Sequence, residues 1–231
     1  ERQGKVMRFF LDKNRRIISG LGMSGSWRIS HLPITEKHTH VQLCGENKEG
    51  DFFLGYIDPR RFGNMHFFNE ENEKKWLTRL GADVSKPEFN LEYLIELKKK
   101  RPNKVIKPFL LEQNFFAGVG NYMASEMCAR AGIRPTRRMK TLTRKDLEKL
   151  LEATKVVLDQ TINSGGTTFS GGYQDANGNK GKGVTNLVVF HQETCGLCLE
   201  TEVKRLVLTG SGGPFLDRNI KDFAYITPEE A

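Results

Sequence analysis

The segment from residue 110 to 126, LLEQNFFAGVGNYMASE, joins two apolar stretches through a short glycine-containing turn. Gly118 and Gly120 can adopt positive φ, and Asn121 stands where a side chain would cap the following helix. A helix start carries unpaired N–H groups at the positive end of its dipole, so it suits an anion such as phosphate. An ordinary helical hairpin with a good N-cap explains the same residues, and the local sequence leaves both interpretations open.

A second chemical pattern is the pair Cys195 and Cys198 in CGLC. The only other cysteines are Cys44 and Cys128, which excludes a disulfide framework and fits a reducing compartment. A structural zinc ion takes four ligands, so two thiolates alone do not form a closed site. No strand-to-helix context surrounds the pair, and this disfavours a redox motif.

The composition limits the class of protein. The 231 residues are 38% hydrophobic and 28% charged, which is typical of one large or two small globular domains. The formal net charge of +8 favours a polyanionic partner. No apolar run approaches the roughly 20 residues that cross a bilayer, and the first residues of this sequence lack the basic start, apolar middle and small-residue cleavage site of a signal peptide. We expect a location in the cytoplasm or nucleoid, or in the nucleus of a eukaryote.

The elements that must position these residues fall into three regions. Residues 5 to 68 contain five strand-like runs separated by DKN, GENKEG and DPRRFG, which predicts an antiparallel sandwich or barrel. EENEKKWLTRLG predicts a short amphipathic helix, and GADVSKPEFN, residues 81 to 90, predicts a domain linker.

Residues 91 to 164 have helical periodicity. LEYLIELKKK, VIKPFLLEQN and NYMASEMCARAG predict three helices, and TRKDLEKLLEATKVVLDQTIN predicts a fourth that Thr143 and Asp146 begin as a capping pair. Seven glycines lie between Gly165 and Gly183, which is typical of a functional or disordered loop. VTNLVVFH predicts a strand, and the tail predicts a small hairpin around CGLC.

Five motifs in a fixed order resemble the formamidopyrimidine-DNA glycosylase and endonuclease VIII family. They are LGMSG, DPRRFG, LLEQNFFAGVGNYMASE, SGGTTFSGGYQDANGNKG and the CGLC tail. The GGTT sequence resembles the formamidopyrimidine branch. The resemblance implies an α+β fold with an N-terminal antiparallel β-sandwich, a helix–two-turns–helix domain and a C-terminal β-hairpin finger. We expect boundaries at 1–82 for the sandwich, 83–183 for the helical domain with its glycine-rich loop, and 184–231 for the finger.

By this resemblance, the turns LGMSG and DPRRFG carry the residues that replace an extruded base. Met23 fills the void, Phe62 wedges beside it, and Arg60 hydrogen-bonds the orphaned partner base. Arg61 is a phosphate contact or a structural residue. Without the resemblance, both segments are plain turns, with a solvated arginine pair and a core phenylalanine.

The resemblance assigns further contacts. Asn121 binds phosphate, and Lys5 in GKV is the motif-matched amine of the catalytic site, directed at the phosphate beside the lesion. Thr167, Thr168 and Tyr173 provide polar and stacking contacts from a loop that closes over the extruded base. A disordered linker is the alternative for that loop, and a solvated charge is the alternative for Lys5.

The sequence departs from the family pattern in two places. Leu216 and Asn219 stand where the second cysteine pair belongs, and Ser211 stands where the finger's arginine belongs. Zinc held by Cys195, Cys198 and substitutes such as His191 or Asp217, a zincless packed hairpin, and a rearranged tail all remain open. The family's nucleophile is an N-terminal proline followed by glutamate, but this chain opens ERQGKV, so we expect further sequence upstream.

The leading hypothesis is a monomeric DNA glycosylase and abasic-site lyase. It would remove oxidised purines such as 8-oxoguanine and formamidopyrimidines from damaged duplex DNA through a proline imine and β,δ-elimination. A non-catalytic relative that recognises damaged DNA is the first alternative. An RNA-binding or ribosome-associated basic protein is the second, and it predicts no preference for lesions.

Overall fold

The computed structural model describes residues 1–11, 13–169, 174–208 and 222–226. The chain divides into two compact units. The first contains Glu1–Lys75 and Thr161–Thr185, and the second contains Trp76–Gln160 and Asn186–Ala231. Among the described residues, none of the helices combines the length and the apolar composition that crossing a bilayer requires.

The first unit contains two antiparallel sheets built from seven strands. Their bounds are β1 Arg2–Gln3, β2 Val6–Phe10, β3 Arg15–Gly20, β4 Ser26–Ser30, β5 Thr39–Asn47, β6 Gly50–Ile57 and β7 Asn64–Asn69. One sheet has the order β1-β2-β3-β7 and the other the order β4-β6-β5. The predicted antiparallel sandwich is confirmed, although sequence analysis missed the short strands β1 and β4.

Aromatic side chains connect the two sheets. The ring of Phe9 in β2 lies 4.7 Å from that of Trp27 in β4, which lies 5.3 Å from that of Tyr56 in β6. The Trp27 indole also donates a hydrogen bond of 3.1 Å to Ser19 of β3, so its polar edge is satisfied inside the sandwich. The predicted amphipathic helix is α1, Glu70–Leu77. Its buried Glu73 accepts a hydrogen bond of 2.8 Å from Arg8, which fixes the helix on β2 and raises the pKa of Arg8.

The second unit is helical. It contains a two-residue parallel pair, β8 Ala82–Asp83 and β9 Phe116–Ala117, and helices α2 Leu91–Lys100, α3 Ile106–Leu110, α4 Asn121–Ala131 and α5 Arg144–Asn163. The linker prediction for residues 81 to 90 is wrong. Ala82, Val84 and Phe89 belong to the apolar core of this unit, because the chain pairs there with the segment that precedes α4. The boundaries expected at 82 and 183 stay predictions.

Helix α5 begins as predicted. Thr143 Oγ1 accepts from the backbone N–H of Asp146 at 3.1 Å, and the Asp146 carboxylate accepts from the N–H of Thr143 at 2.8 Å, which is a reciprocal capping box. Leu147 and Leu150 on the predicted apolar face are buried, but Ile162 is 68% exposed.

The strand predicted for VTNLVVFH is absent from the described residues. Gly183–Asn186 form a 3-10 turn, and residues 187 to 190 are buried without a strand partner. The backbone N–H groups of Val188, Val189 and Phe190 instead donate to the carboxylate of Glu126 in α4, at 2.7, 2.9 and 2.9 Å. A hairpin follows, with β10 Lys204–Leu208 antiparallel to β11 Asp222–Ile226, which confirms the predicted finger-like hairpin.

Candidate nucleic-acid interface

One end of the first sheet collects the predicted contact residues of the first unit. Val6 of β2 pairs with Gly20 of β3, and Gly20 pairs with Asn64 of β7. Three segments therefore meet at the same end of the sheet: the turn that contains Lys5, the LGMSG turn and the end of DPRRFG. Antiparallel register, rather than sequence proximity, brings these three segments together.

Glycines allow the LGMSG and DPRRFG turns to touch backbone to backbone. Gly22 has a φ of +62°, and a Cβ added there would lie 2.4 Å from the carbonyl carbon of Phe62. At Gly63, an added Cβ would lie 1.7 Å from the Tyr56 hydroxyl oxygen and 2.8 Å from the carbonyl oxygen of Gly20. A side chain at Gly22 would force the two turns apart, and a side chain at Gly63 would collide with Tyr56 and with the end of β3.

A buried carboxylate also fastens the two turns together. Asp58 accepts hydrogen bonds from the Ser24 hydroxyl at 2.6 Å, the Gly63 N–H at 2.8 Å and the Tyr56 hydroxyl at 3.3 Å. Burial alone would raise the pKa of Asp58, but these hydrogen bonds together outweigh burial and hold the pKa below its ordinary value. The Ser24 hydroxyl in turn accepts from the backbone N–H of Arg60 at 3.3 Å.

The side chains at the tips of these turns point away from the sandwich core. Met23 and Phe62 are each 52% exposed, although both are large and apolar. The guanidinium of Arg60 lies 4.6 Å from the centre of the Phe62 ring in a cation–π contact. Arg61 is exposed and takes a φ of +56°, which turns the chain sharply between Arg60 and Phe62. The structure therefore excludes the alternative in which Phe62 is a core residue.

Lys5 lies in a two-residue hairpin turn between β1 and β2. Gln3 pairs with Val6 across it, and Gly4 has a φ of +56°, which fits the glycine of a type II′ turn. Lys5 is exposed as a whole residue, but the protein atoms that surround its ammonium group desolvate that group and lower its pKa to about 8.

The start of α4 differs from the prediction at Asn121. Gly118 has the expected positive φ of +104°, but Gly120 is extended, with a φ of −105°, and is itself the N-cap. Asn121 is the first helical residue, and no side chain caps the helix. Its Oδ1 accepts a hydrogen bond of 2.5 Å from Lys107 Nζ. The N-cap prediction is wrong because the buried lysine, fourteen residues earlier, holds this oxygen.

Sequence analysis missed two residues that shape this turn. Lys107 is fully buried. It is the one charged residue in the apolar run VIKPFLL, and that isolated position could have indicated a buried lysine with a specific partner. Gln113 spans the turn: its amide nitrogen donates to the carbonyls of Leu111 and Val119 at 2.8 and 2.9 Å, and its oxygen accepts from the Gly118 N–H at 3.1 Å. The turn that leads into α4 is thus internally fixed.

The described part of the glycine-rich segment is ordered by its own contacts. Thr167 forms an antiparallel bridge with Lys182, and Thr168 Oγ1 accepts from the N–H of Gly181 at 2.9 Å. A Cβ at Gly181 would lie 2.1 Å from the carbonyl oxygen of Gly166, so the two arms of the segment close tightly only with glycine. Tyr173 lies outside the described residues.

Strand β4 holds the second arm of this segment. Arg28 donates to the side-chain oxygen of Gln174 and, at 2.7 Å, to the carbonyl of Asp175. The N–H of Ile29 donates to the carbonyl of Ala176 at 3.1 Å. The disordered-linker alternative is therefore wrong for residues 174 to 176, which are held against the edge strand β4.

The CGLC segment forms a compact turn. Cys195 is buried and Cys198 is exposed. Cys198 Sγ lies 3.0 Å from Thr201 Oγ1, and hydrogen bonds with the Thr201 side chain and then with the backbone of residues 200 and 201 stabilise the thiolate and lower the pKa of Cys198 to about 7. Among the described residues, no three His, Cys, Asp or Glu side chains are grouped closely enough to hold a metal ion. Ser211, Leu216, Asp217 and Asn219 lie outside those residues.

Comparison with known proteins matches both units. Residues 1–65 match the model of the formamidopyrimidine-DNA glycosylase N-terminal domain, and residues 80–171 match that of the formamidopyrimidine-DNA glycosylase H2TH domain. The chain is 37% identical over 203 residues to the formamidopyrimidine-DNA glycosylase of Oceanobacillus iheyensis, covering 85% of this chain and 70% of that one. It is 39% identical over 186 residues to the Escherichia coli K12 enzyme, covering 79% and 67%.

Solved structures are similar over the whole chain. MutM (Fpg) from Thermus thermophilus superposes with a TM-score of 0.81 at 28% identity, covering all of this chain and 80% of that one. Lactococcus lactis Fpg bound to DNA that contains an abasic site gives 0.81 at 27% identity with the same coverage. A MutM complex with DNA that contains carbocyclic 8-oxo-G gives 0.79 at 26% identity, covering all of this chain and 79% of that one.

Proposed function

Because this chain belongs to the formamidopyrimidine-DNA glycosylase family, we infer that it is a base-excision repair enzyme that removes oxidised purines from damaged duplex DNA. The observation that carries this function is the pair of locked turns that expose Met23, Arg60 and Phe62 together. Single exposed apolar side chains are common at protein surfaces, but here two of them stand with a guanidinium on turns that are locked together, which is the combination that a DNA wedge requires.

These three side chains support the extrusion of a base. Removing a base from the stack costs a few kcal/mol, and the gap must be filled and the partner base held. Met23 is flexible enough to occupy the gap, Phe62 is flat enough to wedge between neighbouring bases, and Arg60 offers hydrogen-bond donors to the partner base. The contact between Arg60 and Phe62 positions the guanidinium beside the wedge before DNA arrives.

Phosphate binding is proposed for the first turn of α4 and for Lys5. Helix α4 has no side-chain cap, so its first N–H groups and the Asn121 amide are the donors that a phosphate requires. Lys107 holds the side-chain oxygen of Asn121, so the NH2 group is the end of that amide that can face a phosphate. Lys5, with a pKa of about 8, is mostly protonated at neutral pH and can neutralise a phosphate near the same end of the sheet as Met23.

The enzyme also has abasic-site lyase activity, as the family does. We propose that a proline secondary amine attacks the deoxyribose C1′ and that the damaged base leaves with the electrons of the glycosidic bond. The amine then gives up its proton, and the C1′–O4′ bond breaks, with O4′ taking a proton, as the C1′=N bond of the imine forms. Loss of a proton from C2′ then expels the 3′ phosphate, and a second elimination expels the 5′ phosphate. Thr167, Thr168 and Tyr173 are proposed to contact the extruded base.

Borohydride trapping tests the enzymatic function directly. The complete gene product, incubated with a duplex that contains one abasic site, should form a covalent adduct that borohydride makes permanent. A duplex without the site is the control. Absence of the adduct, with binding to the damaged duplex retained, would favour the non-catalytic damage-binding relative. Equal affinity for damaged and intact DNA would favour the general basic protein.

The finger hairpin is proposed to fold without zinc. Family relatives imply a zinc finger, but the whole chain contains a single CxxC pair, and the other two cysteines lie in β5 and in the buried face of α4. Elemental analysis of the purified protein should find well under one zinc per chain. A stoichiometric zinc content that a chelator removes with loss of folding would contradict the proposal.

The expected boundaries at 82 and 183, the monomeric state and the location beside DNA in the nucleoid are likewise proposals. A repair enzyme must reach the chromosome, and the net charge of +8 favours that association.

A further inference from the structure

Two stretches of the second unit are unusually basic. Residues 98 to 104, KKKRPNK, contain five lysines and arginines, and residues 134 to 140, RPTRRMK, contain four. Neither stretch contains an aspartate or a glutamate. Thirty residues separate them in sequence, so each alone would be an ordinary solvated charge run.

The fold places the two stretches side by side. Backbone hydrogen bonds join Lys140 N–H to the Pro102 carbonyl at 2.8 Å and Met139 N–H to the Lys104 carbonyl at 2.9 Å. The Arg138 guanidinium also donates to the Asn103 carbonyl at 2.7 Å. We name the resulting area, residues 98–104 and 134–140, the basic ridge.

Only part of the positive charge of the basic ridge is neutralised. Three carboxylates outside it form ion pairs at 2.6 to 3.0 Å: Glu96 with Lys100, Glu112 with Lys104, and Asp146 with Arg137. Six cations remain without an ion pair within the part of the chain that the structure describes: Lys98, Lys99, Arg101, Arg134, Arg138 and Lys140. All of these except the half-buried Lys98 are exposed.

The other surface properties of the ridge indicate what binds there. Met139, its one large apolar residue, is fully buried, so the ridge lacks the apolar anchors of a membrane-binding surface or a protein–protein hot spot. The Arg101 guanidinium is held 5.3 Å from the centre of the Phe115 ring. A row of fixed and exposed cations without apolar anchors fits a regular array of phosphates.

We propose that the basic ridge binds the sugar–phosphate backbone of duplex DNA independently of sequence and of damage. The choice of duplex DNA over RNA rests on the proposed function. This surface would hold intact DNA while the protein searches for lesions, in addition to the contacts that surround an extruded base.

A charge-matched pair of variants tests the proposal. The ridge variant changes Lys99, Arg134 and Lys140 to Gln; the control changes Lys86, Lys149 and Lys155, also exposed and in the same unit, to Gln. Both lose three positive charges. Fluorescence anisotropy measures affinity for an undamaged duplex from 50 to 200 mM salt. Each phosphate contact contributes about 0.9 to the salt slope, so wild-type affinity should fall about 40-fold more than that of the ridge variant over this range.

Equal slopes for the ridge variant and the control would overturn the proposal, because only net charge would then matter. An unchanged slope for the ridge variant would also overturn it, as would an effect on single-stranded RNA but not on duplex DNA. A third variant, K99R/R134K/K140R, should retain the wild-type slope, because it keeps the three charges. If the triple Gln variant unfolds, the single variants K99Q, R134Q and K140Q decide the question, since each should lower the slope by about 0.9. Borohydride trapping tests the enzymatic function independently. If the wild-type protein forms no adduct, the enzymatic function is rejected, but the anisotropy result on DNA binding by the basic ridge still holds.

Discussion

Replacing Glu126 by Gln should destabilise the second unit more than any other single-atom change in α4. The carboxylate is almost fully buried and accepts three consecutive backbone N–H groups, those of Val188, Val189 and Phe190. An amide has only one acceptor oxygen. It can retain the two hydrogen bonds now made to Oε1, but its NH2 group would then face the N–H of Val188. One charge-assisted hydrogen bond is lost, and a buried N–H donor is left without an acceptor. Together these losses should lower the free energy of unfolding by about 3 kcal/mol.

Glu148→Gln in α5 is the matched control. Glu148 makes an exposed ion pair of 3.0 Å with Arg144, so its loss should cost less than about 1 kcal/mol. Thermal unfolding should place the Glu126→Gln midpoint about 6–12 °C below that of the wild type. Hydrogen exchange should accelerate at the amides of residues 188 to 190 in that variant alone. Equal midpoints for the two variants, with these amides still protected, would show that the carboxylate does not hold the segment.

Three further outcomes follow from the geometry of the first unit. DNA affinity should fall as pH rises above about 8, where Lys5 loses the proton that attracts phosphate, and Lys5→Arg should retain affinity to higher pH in the same anisotropy titration. Gly63→Ala should lower the unfolding free energy by about 1–3 kcal/mol, and Tyr56→Phe should cost less in that background than in the wild type, because the clash is with the hydroxyl. Arg28→Ala should slow single-turnover base excision with little change in affinity for intact DNA. Arg28→Lys should restore the excision rate only partly, because one ammonium group cannot reproduce the forked contact with the Gln174 side chain and the Asp175 carbonyl. Unchanged excision in Arg28→Ala would show that the loop needs no anchor on β4.

The local sequence predicts an element correctly where that element is stabilised by its own residues. The strands β2, β3, β5, β6 and β7, which are runs of strand-forming residues between turns, and the capping box of α5 are predicted correctly, because their signals lie within a few residues. The wedge side chains were found through the motif pattern, and their exposure agrees with it.

The failures share a physical cause, which is a distant partner. Residues 187 to 190 have the composition of a strand, but their N–H groups are satisfied by a carboxylate about sixty residues earlier. Asn121 is of a residue type that often caps helices, but its side-chain oxygen accepts a hydrogen bond from Lys107. Residues 81 to 90 contain the Gly, Ser and Pro of a linker, yet they pair with β9 and contribute to the core. Nothing in a local window contains these contacts.

The backbone contact between Gly22 and Phe62 restricts how this protein can vary. Neither turn can be lengthened, bent or given a Cβ at the contact without displacing the other, so Met23 and Phe62 keep a fixed spacing. If Met23 and Phe62 enter a duplex as proposed, the depth of their insertion can change only through the choice of side chain at positions 23 and 62. Attempts to broaden the range of excised bases should diversify those two tips and leave the loop lengths untouched.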